Sequence, residues 1–234
     1  MNKFVYAGDK FEIDIKGVKH SLKIWSDEDS ESPREWDTLT KMYCWHRRYT
    51  LGDSHSFTSI REALVDIIGE CVPGDDINNV MSVTLDKSLT RDEMNDKVID
   101  ALKDYVCIKY LYLYDHSGIT ISTSDFKDPW DSGLLGIVYL TKEVVLNNIS
   151  YADEVSWYDV ASNIIEEEVD TYDQYLRGDV YGFTFDTIET CPCCNQSVIN
   201  TVDSMGGFFG NNILTNGMLE YLPEEVTNLF KEEE

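Results

Sequence analysis

Basic side chains are scarce in this sequence and nearly missing from its last third, where residues 150–234 hold eighteen Asp and Glu against Arg177 and Lys231 alone. That deficit excludes nucleic acid and anionic membrane as direct partners, because both are bound through lysine and arginine. No apolar run approaches the ~18 residues of a membrane-spanning helix, and the opening MNKFVYAGDKFEIDIKG has no apolar h-region of a secretory signal. A disulfide framework is lacking too: Cys44, Cys71 and Cys107 stand singly and only Cys191, Cys193 and Cys194 cluster, as suits thiols in a reducing cytoplasm. There is no G-x-S-x-G nucleophile elbow. The glycine-rich GGFFGNN has neither the Lys and Ser/Thr of a P-loop nor the spacing of a dinucleotide fingerprint.

What is present is an apolar content of 42%, with 12% aromatic residues, in a chain of 234. That is enough for a sizeable core and too much for a disordered acidic tail. The net charge of −25 far exceeds the roughly 2 to 8 that keeps a small domain soluble. It is also polarised: the first fifty residues are balanced, nine acidic against nine basic, whereas residues 150–234 carry −16. Such a field favours basic protein surfaces or cations as partners.

Hydropathy periods predict an α+β fold with a largely antiparallel sheet and several packed amphipathic helices. KFEIDIKGVKHSLKIW alternates about Lys16-Gly17 as a hairpin with Phe11, Ile13 and Ile15 on one face. Ser59 with Glu62, and Thr90 with Glu93, mark two helix starts, and Pro73-Gly74 stops the first run. CIKYLYLYDHSGITISTS and LLGIVYLT read as a three-stranded meander, followed by a short helix from Lys142 to Asn148. From Trp157 the apolar positions Val160, Ala161, Ile164, Ile165, Val169, Tyr172 and Leu176 predict one long helix at about 156–177, ending before Gly178. VYGFTFDTI then reads as a strand, and a last helix begins near Pro223. The expected organisation is a single compact domain over residues 1–234. A subdivision is available at 105/106, between a hairpin-plus-helices part and a part with the meander, the long helix and the acidic C-terminal segment.

The long helix carries the first candidate site. Its apolar stripe leaves Asp159, Glu166, Glu167, Asp170 and Asp173 on or beside the outer face, and like charges so crowded repel rather than support the helix. At 1.5 Å per residue such a helix is ~33 Å long, close to the ~34 Å of one duplex turn. Carboxylates on it can stand in for phosphates in a basic groove. Cys191 and Cys194 have the C-x-x-C spacing of half a zinc site, with Cys193 between them. Tetrahedral zinc needs four ligands, and Cys44 and His46 of CWHRR supply the rest only if folding brings them there. Without that, the cluster is a tight turn of reduced thiols. A third candidate is the pair of turns YDHSG and PWDSG, which place Asp115, His116, Ser117, Asp131 and Ser132 as turn formers, or as a hydrolase site in which Asp115 and Asp131 hold Mg²⁺ or Mn²⁺.

The blocks SPREWD, CWHRRYTLGD, LYLYDHSGITISTS, PWDSG, TYDQYLRGDVYGF and GGFFG, within residues 32–218, resemble a group of uncharacterised bacteriophage and mobile-element proteins. The resemblance implies an accessory protein acting in the bacterial host cytoplasm and transfers no catalytic residue. Joined to the charge, it leads to the expectation of an anti-defence inhibitor that binds a basic, nucleic-acid-handling host protein, in the manner of a DNA mimic. The alternatives are a metal-dependent hydrolase of nucleotides or nucleic acid and a zinc-stabilised adaptor.

Overall fold

The computed structural model describes residues 2–85 and 88–231. Among them the order is β1 (Lys10–Ile15), β2 (Val18–Ser26), β3 (Lys41–Cys44), α1 (Ile60–Cys71), α2 (Gly74–Thr84), α3 (Arg91–Ala101), β4 (Val106–Asp115), β5 (Ile119–Ser122), β6 (Ser132–Thr141), α4 (Lys142–Asn148), α5 (Trp157–Arg177), β7 (Val180–Thr190), β8 (Ser197–Phe209) and α6 (Glu224–Lys231). Every strand pairing is antiparallel, so the chain is α+β, as its hydropathy periods predict. It divides into two compact units, Met1–Ser32 with Gln174–Glu234, and Pro33–Asp173. Strand pairing sets these limits, not the 105/106 position: β2 pairs with β7 over a long sequence separation, which local patterning does not reveal.

In the first unit the sheet order is β1-β2-β7-β8. Ile15 pairs with Val18, and Lys16 (φ 54°) and Gly17 (φ 86°) form the two-residue loop, both left-handed as a type I′ turn requires. One face of this sheet buries Ile13, Leu22, Ile24, Phe183, Phe185 and Phe208 beneath Val226 and Phe230 of α6. Phe11 meets Phe230 edge to face at 5.4 Å. Phe208 is thus a core residue, and the GGFF of the glycine-rich GGFFGNN forms the end of β8.

In the second unit the order is β3-β6-β4-β5, and both faces are covered. Val106, Ile108, Ile137 and Tyr139 join Leu64, Ile67, Ile68, Val98 and Leu102 of the helical side. Alternation turns the odd positions of β4 the other way: there Tyr158 of α5 bonds the Cys107 thiol, and Lys109 reaches Glu166. A sheet buried on both faces explains why LLGIVYLT is continuously apolar in an antiparallel setting. Ser59 and Thr90 both cap as predicted, but only Thr90–Glu93 closes the reciprocal box; Glu62 accepts instead from Thr58 N–H.

Two elements were not legible. Pro73-Gly74 ends α1 but also starts α2, whose buried positions are only Val80 and Thr84, too sparse for a periodic stripe. Four-residue β3 is defined by its register with β6, Met42 opposite Val138. At Gly136 a Cβ would lie 2.0 Å from the Tyr43 carbonyl oxygen. Gly136→Ala must therefore push β3 off the sheet, at about 1 to 3 kcal/mol as in other overpacked cores. The check is chemical denaturation, where the midpoint should fall with an unchanged slope.

Candidate functional site

α5 is 21 residues long, ~32 Å by its rise, and buries Trp157, Ala161, Ile165, Val169 and Tyr172. Asp159, Glu166, Glu167 and Asp170 are exposed. Asp159, Glu166 and Asp170 follow one another at i, i+7 and i+11 along one stripe, with Glu167 beside it. From Asp159 to Asp170 the stripe spans ~16 Å, about half of a duplex turn rather than a whole one.

Asp173 does not belong to this outer face. It is buried, and its Oδ1 accepts from Thr120 Oγ1 at 2.6 Å and from Ile121 N–H at 2.7 Å. An ionised carboxylate can be buried when it receives such donors, and this one ties α5 to β5. Nor is the ridge without relief, as the like-charge reading supposed. Lys109 pairs with Glu166, and Glu168 turns inward to Thr40 Oγ1, the N–H groups of Leu39 and Thr40, and Arg34. Asp159 and Glu167 make no ion pair among the described residues.

Arg34 is the centre of that inward network. Its side chain is 5% exposed, and the guanidinium holds Asp53 bidentately at 2.9 and 2.8 Å, Glu168 at 3.3 Å, and the Thr40 carbonyl at 2.8 Å. Asp53 also accepts from Met42 N–H at 2.8 Å. The blocks SPREWD, CWHRRYTLGD and the segment just before TYDQY thus meet through one arginine. This role escaped the sequence, where Arg34 lies in a polar loop. The signal was a lone basic residue after Pro33 in a run of acids.

The cysteines part company. Cys191, Cys193 and Cys194 lie at the turn between β7 and β8, with their sulfurs all within 4.8 Å of one another, and such a group could hold a metal ion. Cys191 Sγ lies 2.9 Å from Cys193 Sγ, and the neighbouring Cys193 and then Cys194 groups lower its pKa to about 7. Asn195 takes a left-handed φ of 58°, and its N–H returns to the Cys191 carbonyl. Cys44 and His46 are not part of this group. Burial, and then Asp53, pushes the Cys44 thiol up to about 12, against the thiolate a metal needs. His46 Nδ1 accepts the N–H groups of Arg48 and Tyr49.

The turns YDHSG and PWDSG do come together. Asp115 N–H donates to the Asp131 carbonyl at 2.8 Å, and His116 Nδ1 lies 2.9 Å from Asp131 Oδ2. Asp115 and Asp131 line a cleft of about 390 Å³ with His46, Arg47, Arg48 and Trp130, the last of which is 89% exposed. Arg48 pairs with Asp115. Asp115 and Asp131, the carboxylates that the hydrolase alternative assigns to a divalent cation, thus meet Arg48 and His116 through one oxygen each. The serines serve the backbone reading: Ser132 Oγ donates to the Asp128 carbonyl at 2.6 Å, and Ser117 sits at φ 61° in the hairpin turn. Asp128 accepts the N–H groups of Asp131 and Trp130, which hold its carboxyl below the usual range. The cationic side of this cleft was in view as HRR in CWHRR.

Comparison of the chain with protein-family models, with curated proteins and with solved structures finds no match. Among the described residues no helix is long and apolar enough to cross a membrane.

Proposed function

We propose that this chain is an acidic interaction protein that binds a basic surface of a nucleic-acid-handling or defence protein in a bacterial host and blocks it. Asp159, Glu166, Glu167 and Asp170 are its contact residues. The observation that carries this reading is their exposure along one face of α5 in a chain of net charge −25. Each unit pair at 4 Å contributes ~1 kcal/mol in water, so a row of exposed carboxylates gives an encounter attraction and a fast on-rate. The ~16 Å stripe matches a basic patch of protein side chains, or the phosphates of half a duplex turn. Mimicry of nucleic acid is therefore confined to a short footprint.

Salt tests it. Exposed charges are screened over ~8 Å at physiological ionic strength, so partners captured from host lysate on the immobilised protein should be basic and should elute between about 0.05 and 0.3 M salt. Recovery of salt-insensitive or acidic partners only would sink the proposal.

For the thiol group at the β7–β8 turn, the ion we propose is zinc. Sulfur donors suit this borderline-soft d¹⁰ ion, and the lowered pKa of Cys191 favours the thiolate it binds.

A further inference from the structure

The β7–β8 turn presents three sulfurs, whereas a closed zinc site takes four ligands in a tetrahedron, with sulfurs ~3.8 Å apart at a Zn–S distance of ~2.3 Å. No fourth ligand joins the group among the described residues. The turn itself is exposed from Pro192 onward, so a ligand can approach from outside the chain.

The segment beside it is unusual for this molecule. Between Glu189 and Asp203 no residue is charged, although the surrounding third of the chain is strongly acidic. Val198, Ile199 and Val202 in this segment are 46%, 57% and 59% exposed, and β8 is one of the two edge strands of its sheet. Residues 204–219 are uncharged as well, but there Phe208, Ile213, Met218 and Leu219 are buried. The hairpin end is therefore an exposed uncharged surface where two chains of charge −25 can approach each other, and it carries apolar side chains and free strand edge to cover.

From these observations we infer that Cys191 and Cys194 of two copies of this chain together bind one zinc ion, which bridges the copies at their β7–β8 turns. Two-fold symmetry supplies the missing ligands by construction, since each copy presents the same pair to a shared axis. The C-x-x-C spacing, with the sulfurs within 4.8 Å of one another, lets the first and last sulfur of one turn reach one ion. Each ligating thiol gives up its proton to solvent as the Zn–S bond forms, so four thiolates and one Zn²⁺ leave the centre at −2. Cys193 stays outside the coordination sphere. The inference rests on zinc as the ion.

The test uses the full chain, purified reduced with zinc, measuring metal per chain and mass in solution with and without a chelator. Expected are one zinc per two chains and the mass of two chains, falling to one on chelation. Cys191→Ser and Cys194→Ser should each lose at least tenfold in zinc affinity and run as single chains, while Cys193→Ser keeps metal and dimer. The turn is exposed, so unchanged melting of the serine variants separates loss of metal from loss of fold. One zinc per chain on a single copy would end the bridge and leave the zinc reading standing; no bound zinc would end both. A dimer that survives chelation, or a Cys193→Ser variant that loses metal like the others, also overturns the assignment.

Discussion

Arg34→Met is expected to destabilise the Pro33–Asp173 unit by about 3 kcal/mol or more, the cost of breaking a buried ion pair from one side. The Arg34 side chain is 5% exposed and serves two carboxylates, Asp53 and Glu168, whose side chains are themselves about a fifth exposed. Removing the guanidinium leaves both with backbone donors but no counter-charge, in a place where water reaches them only partly. Arg34→Lys keeps the charge and loses the planar fork, and an ammonium cannot replace a bidentate hold on Asp53 together with Glu168 and the Thr40 carbonyl. Its cost should fall between zero and that of methionine. Urea unfolding of the three proteins checks the order. Equal stability of Arg34→Met and wild type would mean that the network is ornamental.

Ile165→Asp should be worse still. Ile165 is fully buried at the centre of the α5 stripe. Aspartate there forfeits roughly 2 to 3 kcal/mol of apolar burial and adds an unpaired buried carboxyl costing several more. That total rivals the ~5 to 15 kcal/mol by which a domain is stable at all. The expected outcome is aggregated protein, or loss of the cooperative transition, at pH 7. At the neighbouring Glu166, exposed and paired with Lys109, a change to Lys should cost no more than about 1 kcal/mol. One position along the same helix thus separates a fold-breaking charge from a tolerated one, and circular dichroism on heating reads the difference.

That contrast also shows what a single sequence discloses. α5 was legible to within a residue or two because a three-and-four apolar period is a local property of the chain. The β1–β2 hairpin was legible for the same reason, from alternation about Lys16-Gly17. Asp173 was misplaced because helical geometry puts it near the acidic stripe. Only the approach of Thr120 and Ile121 from β5, fifty residues earlier, turns it inward. Glu168 lies opposite the ridge by the same geometry, yet its partners Arg34 and Thr40 stand 134 and 128 residues away in the chain. The pairing of β2 with β7, which fixes the two-unit division, is likewise a long-range contact. Cys191 and Cys194 were found by spacing, whereas Cys44 and His46 were joined to them on residue type alone. The structure holds the first as a half-buried thiol and the second as a ring bonded to its own loop.

The reading of α5 as a binding face is tested most directly by the association rate of a captured basic partner with wild type and with Glu166, Glu167 and Asp170 changed together to Lys. Lys109 faces position 166, so the melting temperature of the variant is measured alongside, with only a small loss expected. The wild-type rate should fall steeply between about 0.05 and 0.3 M salt, and the variant should associate at least tenfold more slowly at the lower salt with little further salt dependence. A folded variant that associates as fast as wild type at both salts would contradict it, and the carboxylates of α5 would then serve solvation alone.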